Sequence, residues 1–223
     1  MRKAVVRTIE GLYAITPDMQ DNGALCDVVA AALRGGVRLI QYRNKSAPAE
    51  RRAEQARALV ALCRPLGAGL IVNDDPHLAA LCGARGVHLG AGDASTVQAR
   101  QVLGPKALIG VSCYSSVERA VRAQAEGADY VAFGSFFPSA TKPEAAPAPL
   151  SLLKQARAAV TLPVVAIGGI TAQNAVRVIE AGADAVAISK GLFSAAQIEP
   201  AARDLIDIVT AALKRRTTAA AAG

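Results

Sequence analysis

Apolar and polar positions alternate along this chain with two different periods. Short β-branched or aliphatic runs recur from end to end, each followed by a stretch with helical spacing and then by a Gly-containing turn that restarts the cycle. The pattern predicts strands at Leu12–Thr16, Leu39–Arg43, Leu70–Asn73, Gly86–Leu89, Leu108–Ser112, Tyr130–Phe133, Val164–Ile167 and Ala185–Ile188. The turns feeding them resemble one another: Gly35-Gly36-Val37, Gly83-Ala84-Arg85, Gly127-Ala128-Asp129 and Gly182-Ala183-Asp184. A Gly after a helix accepts the left-handed cap conformation, so these turns read as structural.

Eight strands alternating with helices is the grammar of an α/β fold closed as a (β/α)8 TIM barrel. No linker interrupts it, and a single catalytic domain over residues 1–216 is expected. The competing architecture, a doubly wound open sheet, would favour a Gly-rich fingerprint after the first strand, where this chain has Pro17-Asp18-Met19. The Ala-rich stretch 217–223 has no apolar pattern and reads as a disordered tail.

Composition narrows the class. Of the 223 residues 52% are apolar, only 4% aromatic, and Trp is absent, which suits helices packed on a buried parallel sheet. No apolar run approaches the roughly 20 residues that cross a bilayer, and basic Met1–Glu10 is followed by no hydrophobic leader core, so a soluble, cytoplasmic protein is expected. Cys26, Cys63, Cys82 and Cys113 stand singly, which predicts reduced, mostly buried thiols and no zinc site. The net charge of +7 is spread over helices and the C-terminal stretch without interleaved aromatics, which argues against nucleic acid and leaves part of the excess to steer small anions.

In such a barrel chemistry belongs at the carboxyl ends of the strands, and unusual polar residues gather there. Gln41, Arg43 and Lys45 alternate after the second strand and share one side of an extended segment. The third strand ends in Asn73-Asp74-Asp75, and Asp93 follows the fourth; carboxylates on adjacent strand tips suit one hard cation, typically Mg²⁺. Asp75-Pro76 also reads as a helix cap, which leaves Asp74 the better ligand. His88 lies within a strand and reads as a satisfied interior histidine, His77 as a helix-surface one. Ser112 closes the fifth strand, either as a phosphate partner or as a cap. The longest loop follows the sixth strand, runs from Gly134 to Pro149, and reads as a lid. Gly168-Gly169 and Ile188-Ser189 end the last two strands, where small residues let a phosphate approach backbone N–H groups.

These motifs, in this order on successive strands, resemble the thiamine phosphate synthase family over nearly the whole chain. The resemblance rests on Gly11–Asp18, Gln41–Lys45, Asn73–Asp75, His88–Gly90, Gly110–Ser112, Gly134–Lys142 and Ile167–Ile170. It implies a transferase that joins 4-amino-5-hydroxymethyl-2-methylpyrimidine diphosphate to hydroxyethylthiazole phosphate, giving thiamine phosphate and pyrophosphate. By the same resemblance Gln41, Tyr42, Arg43, Asn44, Lys45, Asn73, Ser112 and Lys142 hold the pyrimidine diphosphate, and Asp74 and Asp93 hold Mg²⁺. Ser139, Ala140, Thr141, Gly168, Gly169, Ile188 and Ser189 hold the thiazole phosphate, while Arg43, Lys45 and Lys142 stabilise the leaving group. Ala91 stands where the family often has Gln, and Ser139 where Thr is expected.

Two other readings share the barrel and its phosphate site: a thiazole tautomerase-like protein and a non-catalytic sugar-phosphate binder. Neither accounts for cations and paired carboxylates together. The partners expected are two small phosphorylated substrates, with neither nucleic acid nor membrane, and a homo-oligomer is left open.

Overall fold

Alternation within each strand builds the molecule. A computed structural model describes residues 9–138 and 147–222. Its strands are β1 (Gly11–Ile15), β2 (Leu39–Tyr42), β3 (Gly69–Asn73), β4 (Gly86–Leu89), β5 (Leu108–Tyr114), β6 (Tyr130–Phe133), β7 (Val164–Ile167) and β8 (Ala185–Ile188). All pair in parallel, and β8 pairs with β1 to close the barrel, as the sequence grammar requires. The helices are α1 (Asn22–Arg34), α2 (Ala49–Cys63), α3 (Pro76–Cys82), α4 (Thr96–Leu103), α5 (Val117–Ala125), α6 (Ser151–Ala159), α7 (Ala175–Glu180), α8 (Lys190–Phe193) and α9 (Ile198–Ala222).

Odd and even strand residues feed two separate cores. Leu12, Ala14, Ile40, Tyr42, Val72, Val87, Val131, Val186 and Ile188 point outward and pack with the helices. Tyr13, Ile15, Leu39, Ile71, Leu108, Tyr130, Ala132, Val165, Ala185 and Ala187 fill the barrel itself. Two tyrosines fit inside because glycine stands opposite: a Cβ on Gly110 would run into the ring of Tyr130. Gly110→Ala is therefore expected to overpack the interior and cost about 1–3 kcal/mol of stability. A urea-denaturation midpoint equal to the wild type's would refute that account.

Local chemistry starts and stops the helices. Asp21, Asp75, Ser95 and Ser116 each accept a backbone N–H at a helix N-terminus, and Ser95 does so in a reciprocal box with Gln98. Gly36, Gly83, Gly127 and Gly182 have positive φ in the expected turns. The Asp of two turns also ties adjacent strands: Asp129 accepts from Ile109 N at 2.7 Å and pairs with Arg100, and Asp184 accepts from Val164 N at 2.8 Å and pairs with Arg157 and Arg216.

In the stretch 217–223, expected as a disordered tail, the described residues 217–222 continue α9 as helix. Alanine has the highest helix propensity, Thr217 and Thr218 return hydroxyl bonds to Leu213 O and Lys214 O, and Arg216 anchors the preceding turn on Asp184. An apolar stripe is not needed where propensity extends a helix already nucleated by packing. The thiols are as expected, with Cys63, Cys82 and Cys113 buried, Cys26 half-buried, and all free. Among the described residues no helix is long and apolar enough to cross a membrane.

Candidate active site

The mouth of the barrel is organised from the β1 side. Thr16, just past β1, accepts from Arg43 N at 2.9 Å and donates to Arg43 O at 3.0 Å, so the end of β2 is clamped through both backbone groups. Asp18 in the same loop accepts from Arg43 Nη1 at 3.2 Å and from Lys45 N at 3.2 Å. Neither residue has a role in the sequence pattern alone. Their signal was a hydroxyl and a carboxylate immediately after a strand end.

The alternation seen at 41, 43 and 45 sorts this segment into two kinds of residue. Arg43 and Lys45 stay at the mouth, Arg43 against Asp18 and Lys45 with Nζ 3.4 Å from Asp74 Oδ2. Gln41 is buried in the barrel, its amide donating to Tyr13 OH at 2.9 Å. Tyr42 and Asn44 point the other way. Tyr42 OH donates to Gln55 Oε1 of α2 at 2.8 Å, and burial pushes its phenol up to about 12. Asn44 donates to Met19 O and to the same Gln55 oxygen, and accepts from Ala47 N. The side chains of Tyr42 and Asn44 thus brace the loop from behind and do not join Arg43 and Lys45, because strand geometry sends neighbours to opposite faces.

Across the mouth, Asp74 follows β3 with φ 68°, a left-handed conformation that Asp and Asn tolerate better than other side chains. Its N–H donates to His88 O at 2.8 Å. Its carboxyl is raised above the usual carboxylate range, first by burial and then by hydrogen bonding and charge from Asp93, against the opposing pull of Lys45. Asp93 is itself held by Gly90 N at 2.6 Å, and a Cβ on Gly90 would stand 2.9 Å from that carboxylate oxygen. The neighbour Asp75 is spent as the cap of α3, accepting from Leu78 N at 2.9 Å. Ala91, at the position where Gln is frequent, offers its N–H to Tyr114 OH at 3.4 Å.

This donor set fits a hard dication. Two carboxylates are brought together at a cost that Lys45 only partly offsets, and both are oxygen donors. No group of three or more His, Cys, Asp and Glu that could hold a metal occurs among the described residues. A bound Mg²⁺ would draw its other ligands from water and substrate phosphate, which is its usual habit.

His88 and Ser112 lie deeper. His88 is buried, with Nδ1 3.1 Å from Tyr130 OH and Nε2 2.9 Å from Ser112 Oγ, a satisfied interior histidine whose pKa burial lowers to about 4. Ser112 is thereby shown to be a barrel-interior hydroxyl and no helix cap; Ser116 caps α5. His77 is exposed on α3.

On the far side, the Gly168-Gly169 turn has φ 102° and 62°. Side chains there would strike Ser135 and the carbonyls of Phe137 and Pro138, because the start of the β6–α6 loop packs directly on the turn. Phe136 N and Phe137 N donate to Ile167 O and Gly168 O at 3.2 and 3.1 Å. Close backbone packing is thus a second reason for these glycines, beside room for a phosphate. The N–H groups of Gly168, Gly169 and Ser189 have no hydrogen-bond partner among the described residues. Ile188 points into the helix layer, so only its backbone can serve the site. Ser139, Ala140, Thr141 and Lys142 lie outside the described residues.

A family-wide sequence profile described as thiamine monophosphate synthase matches residues 12–192. The chain belongs to that family. It is 52% identical over 207 residues to a thiamine-phosphate synthase of Methylococcus capsulatus, covering 93% of this chain and 92% of that protein. It is 56% identical over 197 residues to one of Chromobacterium violaceum, covering 88% and 95%. The fold superposes with TM-score 0.81 on a solved thiamine phosphate pyrophosphorylase of Pyrococcus furiosus, at 34% identity over 91% of this chain and 96% of that one. A 3-hexulose-6-phosphate synthase, 17% identical with TM-score 0.68, shares the barrel alone. The matched span includes all eight strand ends described above.

Proposed function

We propose that this chain is a transferase that joins the pyrimidine diphosphate to the thiazole phosphate, releasing pyrophosphate and thiamine phosphate. Membership of the family supports the reaction. The observation that carries it to these residues is the meeting of Arg43 and Lys45 with Asp74, whose carboxyl is coupled to Asp93, at the ends of β2, β3 and β4. Fixed cations beside paired carboxylates are what a departing diphosphate requires, because charge builds on its oxygens as the bond breaks.

In this reading Arg43, Lys45 and Lys142 bind the diphosphate, with Asn73 and Ser112 completing the pyrimidine side. The C–O bond to the methylene carbon breaks, its electron pair leaves with pyrophosphate, and the amino group of the pyrimidine delocalises the resulting cation. The ring nitrogen of the thiazole then forms the new bond. Gly168, Gly169 and Ser189, with Ser139, Ala140, Thr141 and the backbone at Ile188, hold the thiazole phosphate in line for that attack. Asp74 and Asp93 would hold Mg²⁺, which supplies charge neutralisation for the diphosphate. No nucleophilic side chain is needed; the loop after β6 would keep water from trapping the cation. Tyr42 and Asn44 contribute by fixing the loop that carries Arg43 and Lys45. A cytoplasmic setting accords with phosphorylated substrates.

The test is direct. Purified protein given both substrates and Mg²⁺ should release pyrophosphate and thiamine phosphate in equal amounts, and neither substrate alone should do so. Conversion of thiazole phosphate without pyrophosphate release would instead support a tautomerase, for which the cations and carboxylates at this mouth have no task.

A further inference from the structure

Five polar side chains inside the barrel form one continuous line. Gln41 Nε2 donates to Tyr13 OH at 2.9 Å, Tyr13 OH lies 2.9 Å from Tyr130 OH, Tyr130 OH lies 3.1 Å from His88 Nδ1, and His88 Nε2 lies 2.9 Å from Ser112 Oγ. The line crosses from β2 through β1, β6 and β4 to β5, in an otherwise apolar interior. The Tyr13 and Tyr130 rings meet edge to face and His88 stacks on Tyr130, so the geometry is held by packing as well as by hydrogen bonds. Gly110 leaves the space that the Tyr130 ring occupies.

Such a line has a direction. Each phenol has one proton to donate, and a neutral imidazole has one donor and one acceptor nitrogen. Gln41 donates to Tyr13, so Tyr13 donates to Tyr130 and Tyr130 donates to Nδ1 of His88. The proton of His88 is then on Nε2 and is donated to Ser112. Burial disfavours the charged ring, so one nitrogen accepts and the other donates. The phenols cannot break the line by ionising, since burial raises both far above their usual range. At the two ends this leaves the carbonyl oxygen of Gln41 as a free acceptor and the hydroxyl hydrogen of Ser112 as a free donor.

We propose that Tyr13, Tyr130 and His88 are positioning residues that form a directional hydrogen-bond relay, tying the amide of Gln41 to the hydroxyl of Ser112 so that the first is presented as acceptor and the second as donor. The inference rests on the reading that Gln41 and Ser112 meet the pyrimidine diphosphate. An aminopyrimidine carries a donor in its amino group and acceptors in its ring nitrogens, so a fixed acceptor and a fixed donor suit it. Left to rotate, an amide and a hydroxyl would present either character. The relay couples the two ends, so that an acceptor at Gln41 goes with a donor at Ser112 before substrate arrives, which is preorganisation.

The chain has two histidines, and His77 is exposed, so His77→Gln leaves a single imidazole to observe. Nitrogen-15 NMR of that protein near neutral pH should show His88 protonated on Nε2 and unprotonated on Nδ1. Tyr130→Phe keeps the ring and removes the link; it should erase that tautomer preference and raise KM for the pyrimidine diphosphate about tenfold, with KM for the thiazole phosphate unchanged. Tyr13→Phe cuts the line one step earlier and should reproduce the split in KM while leaving the bond between Tyr130 and His88 in place. A His88 protonated on Nδ1 would overturn the direction. Equal rises in both KM values in the two variants would overturn the positioning role. The tautomer is read without turnover, so an inactive wild type would reject the synthase reading while the spectrum still decided the relay.

Discussion

Replacing Asp74 or Asp93 with Asn is expected to raise the Mg²⁺ concentration for half-maximal activity by about 10–100-fold, the range seen when even the outer partners of a metal site are altered. The fold should survive. Asn accepts the left-handed backbone of residue 74 as readily as Asp does, and removing one carboxylate relieves the repulsion that, after burial, raises the Asp74 carboxyl. Asp75→Asn is the control, since Asn caps helices about as well as Asp and the Asp75 carboxylate caps α3. Excess chelator should stop the wild type reversibly. Full turnover in chelator would remove the metal from the mechanism and with it the purpose of the paired carboxylates.

The second large effect concerns the leaving group. Arg43→Gln should slow pyrophosphate release by about 10²–10³-fold, the size of loss found when one preorganised donor to a developing oxyanion is deleted. KM for the thiazole phosphate should stay near the wild-type value. Arg43→Lys should recover little, because a point charge on a flexible stem cannot keep the pairing with Asp18 and face a diphosphate in the same way. Lys142→Ala should lower the same rate. Pyrophosphate release at the wild-type rate in either variant would reject leaving-group stabilisation by that residue.

How far the sequence alone could go depended on the range of the interaction concerned. The strands were legible because period-two alternation and helical spacing are local, and four of them, β4, β6, β7 and β8, have the bounds that the pattern predicts. Capping by Asp75, the exposed His77 and the interior His88 followed from neighbours in sequence. The grouping of Gln41, Arg43 and Lys45 on one side was also local, and it already implied that Tyr42 and Asn44 point elsewhere. The resemblance assigns the whole segment to the substrate set, while the side chains of Tyr42 and Asn44 bond to Gln55 and Met19 behind it.

Tertiary structure decided what no local rule carries. The clamp of Thr16 and Asp18 on the end of β2 joins residues 25 to 27 positions apart. The line from Gln41 to Ser112 includes partners separated by 117 positions. It exists because barrel closure brings β1 beside β2 and β8 and turns Tyr13 and Tyr130 inward together. The second duty of Gly168 and Gly169, admitting the loop after β6, likewise required seeing two strand ends side by side. Hydrophobic period and turn chemistry therefore determine that this chain is a barrel and which strand ends carry polar residues. Which of those residues meet, which only brace the others, and which are joined through the interior depends on the closure and stagger of eight strands.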